Sequence, residues 1–342
     1  METLMNKLLA KMLDAGSMPS STLEDSIFFN EKEAVTTELP ILNVAFSGRL
    51  DGGLTSGLTV FAGESKSFKT MLALYCMKAY FNKYKDAVAI FYDSEFGTPP
   101  SYLKQFGLDL SRIIHVPIVH IEALKFDITK RLEAIERGDK VFIMVDSLGN
   151  LASKKETEDA LAEKSVADMS RAKAIKSLFR IITPHLTTRN LPCIMINHIY
   201  KEIGMFPKNI VAGGTGVMYS ANQVFIITKA QEKDGTELAG YKFTINIEKS
   251  RFVKEKSKLP FTVLYNKGIQ KYSGLWDLAV EAGILKQVTK QSYEANGVKR
   301  KSSDIEEDVD FWEDLIHNET FKDYVSSRYM LTTENELKDD SE

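Results

Sequence analysis

The sequence predicts an α/β fold: a mostly parallel, twisted sheet flanked by crossover helices. Two observations carry that prediction. From Val44 to Tyr265, short apolar runs of strand length alternate with longer stretches of helical periodicity. The runs suited to buried strands are Leu58 to Ala62, Ala87 to Tyr92, Val141 to Val145, Cys193 to Ile196, Val224 to Thr228 and Phe243 to Ile247. Between the first of these and the helix-like stretch Met71 to Tyr80 lies Gly63-Glu64-Ser65-Lys66-Ser67-Phe68-Lys69-Thr70, spaced as a phosphate-binding loop. Such a loop needs a glycine at the turn, backbone N–H groups curled round phosphate, a lysine for the terminal phosphates and a hydroxyl for Mg²⁺. Phe68 stands where the second glycine is usual, and brings a Cβ and a ring to a place where backbone normally hugs the nucleotide.

Composition bounds the function classes. A chain of 342 residues with 44% hydrophobic and 27% charged residues has the make-up of a soluble protein with a substantial core. No uninterrupted apolar run approaches the roughly 18 residues of a membrane span, and Glu2, Lys7, Lys11 and Asp14 interrupt the first leucines where a secretory signal would be apolar. A cytoplasmic protein is expected. Cys76 and Cys193 lie far apart in apolar runs, which suits buried thiols and not a disulfide. With a net charge of −3, any contact with nucleic acid must come from local basic stripes.

Taken in order, the chain opens with Leu4, Leu8, Met12 and Leu9, Leu13 at helical spacing, ending near Gly16. A Ser-rich link then leads to Ile27-Phe28-Phe29, which is expected to be a strand. This arm, residues 1–35, buries little by itself, so its apolar stripe should dock on its own core or on a neighbouring subunit. Residues 36–270 form the core. In a parallel sheet the ligand sits at the carboxyl ends of the strands, and three ends carry suggestive groups. Val141 to Val145 ends in Asp146, placed to orient a Mg²⁺ shell, with a capping role as the alternative. Ala87 to Tyr92 leads to Asp93-Ser94-Glu95, and Glu95 is placed to polarise the water that attacks a γ-phosphate, with a solvated acid at a strand end as the alternative. Cys193 to Ile196 leads to Asn197-His198, where His198 is either a γ-phosphate sensor or a satisfied structural group.

After His198, a long Gly-rich segment from Ile199 to Gly216 mixes Lys201, Lys208, Ile203 and Phe206 with Gly213 and Gly214. Basic and apolar side chains on such a backbone can follow a phosphate chain and wedge between bases, and a lid over ATP is the other reading. Lys173, Lys176 and Arg180 fall at helical intervals opposite Ile175, Leu178, Phe179 and Ile182, giving one inward face and one basic face that is either simply solvated or turned to DNA. The Lys- and Glu-rich stretch Ser153 to Lys164 is a second candidate loop. Lys249, Arg251, Lys254, Lys256 and Lys258, with Glu248 and Glu255, give a local charge of +3 after the Phe243 to Ile247 run. Lys249 and Arg251 could reach a phosphate in trans from an adjacent subunit, with a solvated loop as the alternative. Residues 271–331 are expected to form a small C-terminal α+β domain, with a helix from Leu275 to Ala282, a polar stretch Gln291 to Asp304 and an aromatic-rich helix Phe311 to Tyr329. The acidic tail 332–342 has a disordered composition.

Together these strings resemble the RecA-type recombinases, and within them those of T-even-like bacteriophages. The resemblance rests on GESKSFKT at Gly63 to Thr70, FYDSEFG at Phe91 to Gly97, VDSLGNLASKKETEDAL at Val145 to Leu161, INHIYKEIGMF at Ile196 to Phe206 and EKSR at Glu248 to Arg251. It implies a RecA-like P-loop ATPase core using ATP and Mg²⁺, with Lys69 and Thr70 on phosphate and metal, Asp146 supporting the metal, Glu95 activating water and Tyr102 stacked on adenine. Lys249 and Arg251 would act across the subunit interface, and the two loops would bind DNA, with Ile203 or Phe206 as a wedge. The arm would serve filament assembly. Implied partners are single-stranded DNA, double-stranded DNA, further copies of the chain, a single-strand binding protein and a loader protein, in the cytoplasm of an infected bacterium. Phe68 matches the phage pattern where bacterial members have glycine. Pro99 and His198 stand where they have an adenine-contacting acid and a glutamine. A RecA-fold ring motor and a non-hydrolysing ATP-binding accessory share these features and stay open at this stage.

Overall fold

The computed structural model describes residues 2–30, 33–163, 170–202, 209–213 and 215–331. It contains two compact units, Met1–Glu33 and Ala34–Glu342. In the first, α1 (Glu2–Ala15) carries Leu8, Leu9 and Met12 exposed. The expected strand at Ile27-Phe28-Phe29 is instead a helical turn, α2 (Ile27–Asn30). A lone strand would leave its N–H and C=O groups without partners, whereas a helical turn begins to satisfy them locally.

The second unit begins with α3 (Pro40–Ser47), buried along most of its length. Its strands are β1 (Gly57–Gly63), β2 (Val88–Asp93), β3 (Ile113–Pro117), β4 (Val141–Asp146), β5 (Pro192–Asn197), β6 (Ile199–Lys201), β7 (Asn209–Val211), β8 (Gln223–Asp234), β9 (Glu237–Lys249), β10 (Lys258–Leu264) and β11 (Gly268–Gln270). Among the described residues, all but β6 and β7 form one nine-stranded sheet in the order β11-β10-β9-β8-β1-β5-β4-β2-β3. From β8 to β3 the pairs are parallel, and β8 to β11 pair antiparallel. Every residue of β1, β4 and β5 is buried, as strands covered on both faces require. The crossovers run through α4 (Lys69–Lys83), α5 (Pro100–Gln105), α6 (Ile121–Ala134), α7 (Lys154–Leu161) and α8 (Ser170–Thr188), with α9 (Thr215–Ser220) leading into β8.

Two apolar cores follow from this layering. One face packs Phe61, Leu72, Cys76, Phe91, Met144 and Phe225 with α3 and α4, and the other packs Val60, Tyr92, Ile143, Leu178, Phe179 and Cys193 with α6 and α8. Both cysteines are buried thiols. The stretch at Ser153 is not a loop throughout: Ser153 and Glu156 form a capping box that starts α7.

The C-terminal segment holds α10 (Trp276–Glu281), β12 (Leu285–Thr289), β13 (Ser292–Ala295), β14 (Val298–Lys301), α11 (Ser302–Glu306), α12 (Val309–His317) and α13 (Glu319–Tyr329). The polar stretch Gln291 to Asp304 is thus a strand pair and a helix start. The expected single helix Phe311 to Tyr329 is broken at Asn318, whose extended backbone and side-chain bond to the Phe321 N–H begin α13. Trp312, Phe321 and Val325 are buried in the same core as Ile41 and Phe261.

Candidate functional site

The phosphate-binding loop joins β1 to α4. Gly63 cannot be replaced without movement, because a Cβ there would lie 2.5 Å from Ser67 Oγ and 2.6 Å from the Ile227 carbonyl. Lys66 and Phe68 both have left-handed backbones, with φ of 58° and 69°. The usual glycine position therefore keeps the glycine conformation with a phenylalanine in it. The Phe68 ring lies 5.2 Å from the Phe243 ring and 5.8 Å from the Phe261 ring, so its bulk packs against β9 and β10.

Lys69 opens α4 and is buried. Its Nζ donates to the carbonyls of Gly63 (3.2 Å) and Glu64 (2.7 Å) and to Ser67 Oγ (3.2 Å). Burial lowers its pKa, against the carboxylates of Glu95 and Asp146. Thr70 Oγ1 donates to Asp146 Oδ2 at 2.8 Å, while the buried Oδ1 has no protein partner. Burial pushes the Asp146 carboxyl up to about 6; Glu95 and Asp93 add to the rise, and Thr70 and Lys69 oppose it. An orphaned carboxylate oxygen beside a hydroxyl at the N-terminus of α4 is the donor set a hydrated Mg²⁺ fits.

Parallel pairing of β2 with β4 sets Asp93 opposite Asp146. Just beyond, Ser94 ties the two strand ends together: its N–H donates to the Asp146 carbonyl (2.8 Å), and its Oγ bonds the Ser147 carbonyl and N–H at 2.8 and 2.9 Å. The Asp146–Ser147 peptide bond is cis. Glu95 follows, half-exposed, with Oε1 3.4 Å from His198 Nε2. That nitrogen also lies 3.2 Å from Asn150 Oδ1 and 3.4 Å from Ser147 Oγ. His198 thus joins the ends of β4 and β5 to Glu95.

These groups share one cleft of about 350 Å³, lined by the loop, Glu95, Tyr102, Asp146, Ile196 and His198. It adjoins a recess of about 280 Å³ where Met71, Gly97, Thr98, Pro99 and Tyr102 present flat or apolar surface, with the Tyr102 hydroxyl against the Met71 sulfur. An open groove of about 760 Å³ between β12–β14 and α12 is larger, but its walls are mixed charges without a catalytic grouping. Sequence reading missed Lys229, whose Nζ donates to the Ser65 carbonyl of the loop at 3.2 Å. Lys229 lies inside β8, which runs on to Asp234, so no strand-end signal marked it.

On α8, Lys173, Lys176 and Arg180 are exposed while Ile175, Leu178, Phe179 and Ile182 are buried, as their spacing requires. Arg171 donates to the carbonyls of Leu148, Gly149 and Leu151, fixing the chain that leaves β4. The Gly-rich segment contains the ribbon β6–β7, in which Lys201 pairs with Asn209 and exposed Tyr200 with Ile210. Gly213 has a φ of 94°. Ile203, Phe206, Lys208 and Gly214, with Lys164 and the acidic tail 332–342, lie outside the described residues. Arg251 is exposed, and Lys249 Nζ donates to the carbonyls of Met218 (2.5 Å) and Tyr219 (3.3 Å) at the end of α9. Neither is among the residues that line the cleft of their own chain. Among the described residues, no helix is long and apolar enough to cross a membrane.

Comparison with known proteins agrees with this geometry. Residues 30–270 match the family described as RecA N-terminal domain. Residues 272–325 match the C-terminal domain of the bacteriophage T4 recombination and repair protein. That protein of Enterobacteria phage T4 is 48% identical over 339 residues, covering 96% of this chain and 87% of its own length. The RecA proteins of Chloroherpeton thalassium and Chlorobaculum tepidum are 29% and 28% identical over 69% of this chain, and the matches span 65% and 67% of their lengths. A strand-end ATPase-type cleft, a family match over most of the chain and a phage-type C-terminal segment lead to one assignment: the chain belongs to the RecA family of recombinases.

Proposed function

We propose that this RecA-family recombinase polymerises on single-stranded DNA, pairs it with homologous duplex and exchanges strands, with DNA-stimulated ATP hydrolysis resetting the filament. The observation that supports this most is the convergence of Lys69, Thr70, Glu95, Asp146 and His198 on one cleft at the carboxyl ends of β1, β2, β4 and β5. Mg·ATP, once bound, supplies a γ-phosphate open to attack by water. Gly63 to Thr70 cradle the phosphates through backbone N–H groups, and Lys69 exchanges its loop carbonyls for phosphate oxygens. Thr70 and Asp146 hold the metal. Glu95 takes the proton of the attacking water, and His198 reports the state of that carboxylate to the Gly-rich segment that follows it. Tyr102 and Met71 flank the adenine. Lys249 leaves the α9 carbonyls and, with Arg251, reaches the phosphates bound by the adjacent subunit.

On the DNA side, Lys173, Lys176, Arg180 and Lys201, with the segment through Gly213, hold the backbone electrostatically and leave sequence recognition to base pairing. Filament assembly through residues 1–35, and cooperation with a single-strand binding protein and a loader in the host cytoplasm, complete the reading. The test is a joint-molecule assay with homologous single-stranded and duplex DNA. ATP- and homology-dependent product from the wild type, and none from Lys69→Ala, is the expected result. A chain that unwinds duplex without homologous single strand would instead be a ring motor.

A further inference from the structure

We propose that His115 is a positioning residue for ATP hydrolysis, acting through Asp93 on the turn that aims Glu95. This rests on the reading of Glu95 as the group that activates water. Asp93 closes β2 and is only 4% exposed. Its Oδ1 accepts the N–H of Glu95 at 3.0 Å and the N–H of Phe96 at 2.7 Å, so one carboxylate oxygen sets the turn on which Glu95 stands. Its Oδ2 accepts the Nε2–H of His115 at 3.2 Å from the neighbouring strand β3.

Apolar packing contributes little to the turn. Phe96 takes a left-handed backbone, φ 56°, that a bulky residue disfavours, and its side chain is 58% exposed, so apolar burial does not stabilise it there. On the opposite side, Ser94 fastens the turn to Asp146 and Ser147. The backbone at Glu95 is therefore held on one side through Ser94 to β4 and on the other through Asp93 to β3, whose following residue Ile118 also donates its N–H to the Asp93 carbonyl at 3.0 Å, while the Glu95 carboxylate itself meets His198. The β2–β3 register places His115 opposite Phe91, and its ring packs 5.7 Å from the Phe91 ring, which limits how the imidazole can turn. The Asp93 carboxylate is thus buried and bonded by backbone on one oxygen and by the partly exposed His115 imidazole on the other, which together favour one orientation. Without the imidazole, the carboxylate can rotate and the turn follows it. Small displacements of a reacting group cost rate far more than they cost binding.

An ordinary strand-to-strand tie would affect folding and leave the chemistry alone, so the test separates the two. ATP turnover of the full chain is measured at saturating single-stranded DNA for His115→Leu, His115→Gln and Glu95→Gln, with thermal melting of each. Leucine keeps the bulk and removes the donor, while the glutamine amide can reach the position of Nε2. The proposal expects His115→Leu to lower kcat about tenfold with KM for ATP within about twofold of wild type, and His115→Gln to recover most of the loss. Melting temperatures should stay near wild type. His115→Leu turning over at the wild-type rate while Glu95→Gln is dead would overturn the role of His115 alone. Equal loss in His115→Leu and His115→Gln with lowered melting would reduce His115 to a structural tie. Full turnover in Glu95→Gln would instead remove the reading of Glu95 on which the proposal stands.

Discussion

Replacing Phe68 by alanine and by glycine separates two effects that this residue combines. Its backbone, φ 69° and ψ 12°, is one that a non-glycine residue adopts at a cost of about 1–2 kcal/mol. Against that, its ring sits within 6 Å of Phe243 and Phe261, at 5.2 and 5.8 Å, and such pairs contribute about 0.5–1.5 kcal/mol each beyond area burial. Truncating a core phenylalanine costs about 3–5 kcal/mol, and for this partly buried ring the lower end applies. Phe68→Ala loses the packing and keeps the strained backbone, so it should destabilise by about 3 kcal/mol. Phe68→Gly loses the same packing but relieves the strain, so it should be less damaged by about 1 kcal/mol, despite the entropy glycine adds to the unfolded chain. Chemical denaturation of both variants beside wild type reads the difference, and ATP affinity reads whether the loop keeps its shape. If Phe68→Gly is the less stable of the two, the left-handed strain is not what distinguishes this position. If both match wild type, the ring does not anchor the loop to β9 and β10.

Further outcomes follow from the same geometry. The Asp146 carboxyl, raised to about 6 from an ordinary 3.8, binds its proton more tightly in the folded state. Its contribution to stability is fully present below about 3.8 and lost as pH rises through about 6, on the order of 3 kcal/mol in all. Metal relieves that penalty, so Mg·ATP should raise the melting temperature more at about pH 7.5 than at about pH 5.5; the reverse order would contradict the assignment. Asp146→Asn, which cannot ionise, should be the more stable protein without metal at neutral pH yet lack turnover. Changing Lys173, Lys176 and Arg180 together to alanine should flatten the salt dependence of single-strand binding by about 2 in the log–log slope, at about 0.7 per phosphate contact. An unchanged slope would return the α8 face to simple solvation. Lys69→Ala removes a cation bonded to three loop oxygens and should abolish ATP turnover; a phosphate-release assay checks it.

Much of the fold was legible because buried parallel strands need continuous apolar runs. Leu58 to Ala62, Val141 to Val145 and Cys193 to Ile196 fall inside β1, β4 and β5 for that reason. Strand β3 was not, since Ile113–Pro117 is an edge with both faces partly open, and its five residues carry no alternation. The β12–β14 ladder stayed hidden because Lys286, Lys290 and Val298–Lys301 look like a polar loop when neither face is fully buried. In the cleft, the strand-end rule found Glu95, Asp146 and His198, because topology alone brings strand ends together. It could not find the tie between Asp93 and His115, which depends on the neighbour order β4-β2-β3, or the contact of Lys229 with Ser65. Phe68 shows the limit most plainly: the loop spacing marked it as a misfit, and only tertiary contact with Phe243 and Phe261 shows where the ring goes.

The most direct measurement is ATP turnover with and without single-stranded DNA, on wild type and Glu95→Gln in parallel, with filaments scored by electron microscopy. Strong stimulation by DNA in the wild type, and a mutant that forms ATP-dependent filaments without turnover, is the predicted result. Turnover indifferent to DNA, or a Glu95→Gln protein that hydrolyses ATP at full speed, would contradict the account.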